Sequence, residues 1–347
     1  MDDSPATDGP NEAAGAAGRP APELTGGRPD EDGDLFRATD PILVRQPITG
    51  SADVVRSTLA DLVDAGGEAA TPDAGRPDAR LPDAGRPDAL LPDAGVATCS
   101  VFLEAGADDA AGSDDVAGSD DAAGSDDAAG SEDPTVDRPT LTWYLEVPPD
   151  SSGWASPAAR LLAVSPLFAD EAVRGAVDHG NAAVFAADEA FVHARLPNRP
   201  GTPDPVEVVL VRVPFRPGLA SLAMRGLAGL VRALRGTWVE DRMESESREV
   251  LVEERMWTET LWLVADGRDS TGRSVPQSAA GAGLLWYMEA EGMERVMDAY
   301  EDSETFVARA SEWLAERVLA DPLSALGDPA AASDFELLVH LTDPDRP

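Results

Sequence analysis

The sequence predicts an α+β fold: a mainly antiparallel sheet with helices packed on it, a disordered N-terminus and two low-complexity insertions. Short β-branched or aromatic runs, such as 206–213 and 141–147, alternate with helix-length amphipathic runs. Three of the short runs, 182–185, 190–196 and 206–213, follow one another with no helix between them. That order suits an antiparallel meander and excludes a doubly wound parallel sheet. Segments 1–39, 66–95 and 105–138 are nearly free of bulky apolar side chains and cannot feed a core. What remains suffices for one domain at 40–347, or for two units at 40–236 and 237–347.

Taken in order, residues 1–39 read as a disordered acidic leader. Residues 41–48 make a short strand with prolines near both ends, which is expected at a sheet edge because proline cannot donate to a ladder. Ser51 is expected to cap a helix that carries Val54, Val55, Leu59, Leu62 and Val63 on its apolar face and stops at Gly66-Gly67. A Pro-Asp-Ala-x-x repeat then starts at Pro72, Pro77, Pro82, Pro87 and Pro92. Proline at every fifth position forbids a helix and gives an extended tether. Segments 96–103 and 141–147 read as an antiparallel hairpin whose turn has become an acidic Ala-Gly-Ser-Asp-Asp-x tract. Lengthening an open loop costs only logarithmically more closure entropy.

Ser165-Pro166 opens a predicted helix that ends before Gly180, with His179 in its last turn. Segments 182–185 and 190–196 read as a hairpin, and 206–213 as the central strand. A central helix over 219–234 would present Leu219, Leu222, Leu227, Leu230 and Leu234 as one stripe. Residues 250–252 and 256–262 read as a closing hairpin. Helices are expected at about 280–300 and 304–320, and a strand or short helix at 335–341. The stretch 205–262 is the densest in apolar residues and is expected to hold the core.

The formal charge is −38, and the three low-complexity segments carry −6, −3 and −10 of it. The remainder is acidic too. Such a surface repels nucleic-acid backbones and anionic lipid and favours basic partners. All 27 cations are arginine, with no lysine, which suits a GC-rich bacterial genome or, alternatively, a high-salt cytoplasm where acidic surfaces keep proteins in solution. Cys99 is the one cysteine, so no internal disulfide framework exists, and its apolar run makes it a small core residue. The N-terminus has no basic or apolar signal region and no run is long enough to span a bilayer, so a cytoplasmic protein is expected.

The motifs exclude more than they assign. There is no Gly-x-Ser-x-Gly elbow, and His179, His193 and His340 are the whole histidine supply. His179 fits a cation at a helix C-terminus, while His193 and His340 lie in strand-like runs and read as structural. Zinc spacing is absent, and the Asp-Asp pairs match neither calcium-binding pattern. Gly281-Ala282-Gly283 lacks the rest of a phosphate loop and reads as room for a helix to start close to a neighbour. The Glu-x-Glu pairs at 244–246 and 289–291 read as solvated faces. Trp238, Trp257, Trp262, Trp286 and Trp313 read as bulk for an alanine-rich core. No catalytic, cofactor-binding or metal-ligating set emerges, and no cofactor is expected. An acidic body without such a set predicts a non-enzymatic binding protein that neutralises or chaperones a basic protein partner, as an immunity protein does. The alternative is a carboxylate-dependent enzyme using Glu253, Glu254 or Glu259.

Overall fold

Strands with one apolar face must bury it, and here two antiparallel sheets bury theirs against each other. The computed structural model describes residues 39–68, 96–104, 138–147, 156–187, 190–196, 206–216, 226, 238–264, 282–303, 305, 309, 313, 316–320 and 334–342. The first half of the chain contributes β1 (Asp40–Pro47), α1 (Ala52–Glu68), β2 (Thr98–Glu104), β3 (Thr140–Val147), α2 (Pro157–Val164), a 3₁₀ turn (Pro166–Ala169), α3 (Glu171–Gly175), β4 (Ala183–Phe185) and β5 (Ala190–Arg195). The second contributes β6 (Glu207–Pro214), α4 (Trp238–Glu254), β7 (Met256–Val264), β8 (Gly283–Ala290), α5 (Met293–Asp302) and β9 (Phe335–Thr342). The sheet orders are β4-β1-β3-β2-β9 and β5-β7-β8-β6.

The order β4-β1-β3-β2 with this connectivity is a split βαββαβ unit, and the second half repeats its plan. Leu43-Val44-Arg45-Gln46-Pro47 in β1 matches Leu210-Val211-Arg212-Val213-Pro214 in β6, and Trp143-Tyr144-Leu145-Glu146 in β3 matches Trp286-Tyr287-Met288-Glu289 in β8. Val192-His193 in β5 matches Val339-His340 in β9. The registers agree residue for residue. Leu43 pairs with Tyr144 and Leu210 with Tyr287. Thr98 pairs with Glu146 and Thr258 with Glu289. His340 pairs with Ser100 and His193 with Thr260. Each half also lends its last strand to the other: β5 joins β7 in the second sheet, and β9 joins β2 in the first.

Between the sheets lie Leu43, Phe102, Tyr144, Leu210, Trp262, Leu285, Tyr287 and Phe335. The outer face of the first sheet packs Val44, Val101, Trp143 and Leu145 against Val55 and Leu59 of α1, Leu161 of α2, and Phe168. Trp143 and Phe168 meet edge to face at 5.6 Å, a preferred aromatic geometry. The outer face of the second sheet packs Val209, Val211, Met288 and Ala290 against Leu251 of α4 and Met293 and Val296 of α5. β2 and β3 of the first sheet are therefore buried on both faces, whereas β7 alternates strictly between buried and half-buried.

The expected α+β class and the antiparallel β2–β3 hairpin are present. Several elements differ from the sequence reading. β1 is internal, not an edge, because β4 pairs only with Leu43–Arg45 and so avoids both prolines. β4 and β5 do not form a hairpin, nor do they and β6 form a meander; they serve different sheets. Residues 250–252 end the helix α4, where only Leu251 is fully buried, and the chain turns into β7 at Arg255, with φ of 52°. The helix expected at 280–300 is β8 followed by α5: residues 283–290 form an inner strand between β6 and β7, and the helix starts only at Met293. Gly283 opens that strand rather than a helix. A side chain there would strike the Val213 carbonyl across the ladder, so the close approach is real. Ser165 makes no side-chain cap; Asp170 caps α3, which ends at Gly175, before His179. The leader, both tandem repeats and the helix expected at 219–234 (apart from residue 226) lie outside the described residues. Residues 309, 313 and 316–318 are helical, within the segment 304–320. No described helix is long and apolar enough to cross a membrane.

Candidate active site between the sheets

A strand shows alternate residues to one face, so the matched registers give each half the same inward rows. Arginine stands in the first row (Arg45, Arg212), tyrosine in the second (Tyr144, Tyr287) and glutamate in the third (Glu146, Glu289). All six are buried. The two tyrosines stack across the gap with ring centroids 3.5 Å apart and planes 9° from parallel.

Around the stack run two related hydrogen-bond chains. In one, His193 Nδ1 lies 2.9 Å from Thr260 Oγ1, which lies 3.1 Å from the Tyr144 hydroxyl. That hydroxyl donates to Glu146 Oε1 at 2.9 Å. In the other, His340 Nδ1 lies 2.9 Å from Ser100 Oγ, which lies 3.1 Å from the Tyr287 hydroxyl. In both chains the histidine comes from the strand lent by the opposite half.

The far side of each ring differs. His193 Nε2 lies 3.4 Å from Thr39 Oγ1, whereas His340 Nε2 lies 3.6 Å from Glu289 Oε1. Glu146 is held instead by Arg195 Nη1 at 3.5 Å and accepts from Thr98 Oγ1 at 3.3 Å. Arg195 also donates to Thr39 Oγ1 at 3.1 Å. In the second half the position of Arg195 is Thr342. His340 keeps 15% of its side chain exposed while Glu289 has none.

Burial, reinforced by Glu146 and Tyr287, pushes the Tyr144 hydroxyl well above the usual tyrosine range. It therefore acts as a donor throughout the physiological range. At the arginine row, Arg45 and Arg212 both reach Glu104, Arg212 through Nη2 at 2.7 Å. Burial and the neighbouring Arg45 pull Arg212 down to about 10, which leaves it charged at neutral pH.

The carboxylates singled out in the sequence lie elsewhere. Glu253 is exposed, Glu254 is buried at the end of α4, and Glu259 sits half-buried on the helix-covered face of β7. Burial, with Glu259 and Glu253 nearby, raises Glu254 to about 9; burial raises Glu259 to about 7. They share no row with the histidines. Glu289 is not on a solvated helix face but points between the sheets, and Glu291 pairs with Arg255. Cys99 is buried as expected, and burial pushes its thiol to about 12. Trp262 is fully buried core, but Trp238 and Trp313 are exposed, so the tryptophans are not all core bulk. His179 stacks edge to face on Phe168 and faces Gln46, rather than ending a helix. Among the described residues no group of three His, Cys, Asp or Glu is placed to hold a metal ion.

Sequence reasoning missed His193, His340, Ser100, Thr260 and the Tyr–Glu pairs as a set. The signal was present in the internal match of Leu-Val-Arg-x-Pro and Trp-Tyr-x-Glu, each read as an ordinary strand.

No protein-family model and no curated protein matches this chain. Two solved structures of putative monooxygenases resemble it in course. The one from Lactobacillus acidophilus NCFM is 10% identical, with 88% of this chain and 96% of that chain covered and a TM-score of 0.37. The one from Fusobacterium nucleatum subsp. nucleatum is 8% identical, with coverage of 88% and 95% and a TM-score of 0.35. The expectation of a non-enzymatic partner for a basic protein rested on surface charge alone, and both of these neighbours are described as enzymes rather than as binding proteins. No reaction or substrate is carried from those proteins to this chain.

Proposed function

We propose that the protein is an enzyme working by general acid–base catalysis, with His340 as the proton-transfer group. Glu289 faces its Nε2 and stabilises the imidazolium, and Ser100, tied to Tyr287, orients the ring through Nδ1. The observation that supports this reading is an imidazole held between a hydroxyl at Nδ1 and a fully buried carboxylate facing its buried Nε2. Histidine is suited to the task because its ordinary pKa lies near neutrality. Ser100 is fully buried in mid-strand and already bonded to Tyr287, which suits an orienting group rather than a nucleophile. His193 is the internal control: its chain is alike, but its Nε2 faces a threonine.

The test is comparative metabolite profiling. Wild type, His340→Ala, Glu289→Gln and His193→Ala are each incubated with a pooled small-molecule extract and followed by mass spectrometry. Turnover of some compound by wild type should fall about 100-fold or more in His340→Ala, clearly in Glu289→Gln, and little in His193→Ala. Equal turnover by wild type and a folded His340→Ala would end the proposal.

A further inference from the structure

The arginine row departs from the duplication in a way the histidine chemistry does not use. Arg45 and Arg212 hold equivalent positions, and both donate to one carboxylate, Glu104: Arg45 through Nη2 to Oε2, and Arg212 through Nη2 to Oε1. The position equivalent to Glu104 in the second half is Val264, so the second carboxylate that symmetry would supply is missing. Among the described residues, the other acid acting on Arg212 is Asp334, from an exposed position and through space. Arg45 Nε and Nη1 and Arg212 Nε are buried and find no hydrogen-bond partner among the described residues. The two side chains are 1% and 4% exposed.

Two buried guanidiniums against one buried carboxylate are a costly arrangement, because a buried charge needs both a counter-charge and hydrogen bonds. Among the described residues, no second buried carboxylate stands between the sheets at this row. A guanidinium presents its N–H groups as a planar fork that fits two oxygens of a carboxylate or phosphate. The Phe335 ring centroid lies 5.7 Å from the Arg212 guanidinium carbon. Glu104 is 11% exposed, which puts the row next to solvent.

We propose that Arg45 and Arg212 form a binding site for a small anion bearing a carboxylate or phosphate group, at the Glu104 end of the inter-sheet layer. Glu104 holds the two forks in place and competes with the incoming anion. The site stands independently of the role proposed for His340.

The experiment is titration of the full chain with inorganic phosphate, and separately with acetate, at ionic strength held constant with sodium chloride. Binding is read by calorimetry and by the shift in Tm. Wild type should bind at least one of the two saturably and melt higher with it. Arg212→Gln should weaken that binding about tenfold or more, since a charge-assisted pair is lost, and Glu104→Gln should tighten it. Response to phosphate alone assigns a phosphoryl ligand, to acetate alone a carboxylate, and to both a site for either group. If Arg212→Gln does not fold, Arg212→Lys keeps the charge but loses the fork, and should still bind more weakly. No saturable binding in either arm overturns the proposal, as does equal response in wild type, the Arg212 variant and Glu104→Gln.

Discussion

The two halves of this chain share a plan and differ at a few inward positions, and those few differences set what each half does. In the first half, Glu146 is closed off: Arg195, Thr98 and the Tyr144 hydroxyl all engage it. In the second, threonine replaces that arginine, and the matching carboxylate faces a titratable, partly exposed histidine. In one copy of the row the carboxylate is tied to an arginine, and in the other it faces an imidazole. Duplication makes such a division cheap, because the carboxylate that serves as a strut and the one at the working site need not be the same residue.

The sharpest way to break this comparison is to remove each glutamate in turn. Glu146→Ala strands Arg195 between the sheets, and removing one partner of a buried pair costs about 3–5 kcal/mol. Glu289→Gln keeps the shape and a hydrogen-bonding amide opposite His340, so a cost nearer about 1–2 kcal/mol is expected. Urea denaturation of both variants at pH 7 measures the difference. Equal losses would mean that Glu289 is a strut as well. A second cut falls on the stack. Tyr144→Phe keeps the ring but deprives Glu146 and Thr260 of a partner, for a loss of about 1–3 kcal/mol. Adding Glu146→Gln to it should cost less than the sum of the two single changes, because both act on one hydrogen bond. Strict additivity would show that the first-half chain is not a connected unit.

The sequence showed the parts more clearly than their arrangement. β2 and β3 were legible as paired strands because their apolar runs are bounded and β-rich, and α1 was legible because Val55 and Leu59 recur at helical spacing. β8 was not. Leu285, Met288, Met293, Val296 and Met297 do fall at helical spacing, but residues 283–290 are an inner strand of the second sheet, and its apolar outer-face residues Leu284, Trp286 and Met288 leave no polar alternation to reveal it. Residues 250–252 misled in the opposite sense: β-branched valines sit in a helix because the surrounding glutamates and arginine favour one. The site was illegible for another reason. Ser100, Tyr287, Glu289 and His340 come from three strands spread over both halves, and the pairing of β9 with β2 and the packing of the two sheets bring them together. The repeated Arg, Tyr and Glu rows would have located it, had the halves been aligned first.

The helix-covered face of the second sheet offers a pH test, since the first half has no counterpart to Glu254 among its described buried residues. A carboxyl at about 9 keeps its proton in the folded protein, while the unfolded chain releases it at the ordinary glutamate value. Between about pH 4.5 and pH 9 the unfolded state then binds fewer protons, and stability falls as pH rises. Glu254→Gln should remove that slope. Its Tm should match wild type near pH 4.5 and exceed it at pH 8, by an amount equivalent to about 1 kcal/mol or more. Parallel Tm profiles would place Glu254 in contact with water.

The smallest effect is expected where the halves meet at the surface. Arg56 of α1 reaches across to Glu336 of β9, donating through Nη2 at 2.8 Å, and also pairs with Asp53 of its own helix. This ion pair spans the two halves, so it looks like a clasp. The exposures decide otherwise: Arg56 is 40% exposed, Glu336 50% and Asp53 89%. Water and salt screen charges so placed, and pairs of this kind are worth about 1 kcal/mol or less. What binds the halves is buried, namely the β2–β9 and β5–β7 ladders and the stacked tyrosines. Arg56→Ala should therefore lower stability by less than about 1 kcal/mol in urea denaturation at low salt. The loss should shrink further in about 0.5 M sodium chloride, where the screening length is only a few ångströms. A loss above about 2 kcal/mol that persists in salt would show that the exchanged strand β9 depends on its surface clasp. The inward rows would then not be what joins the two copies.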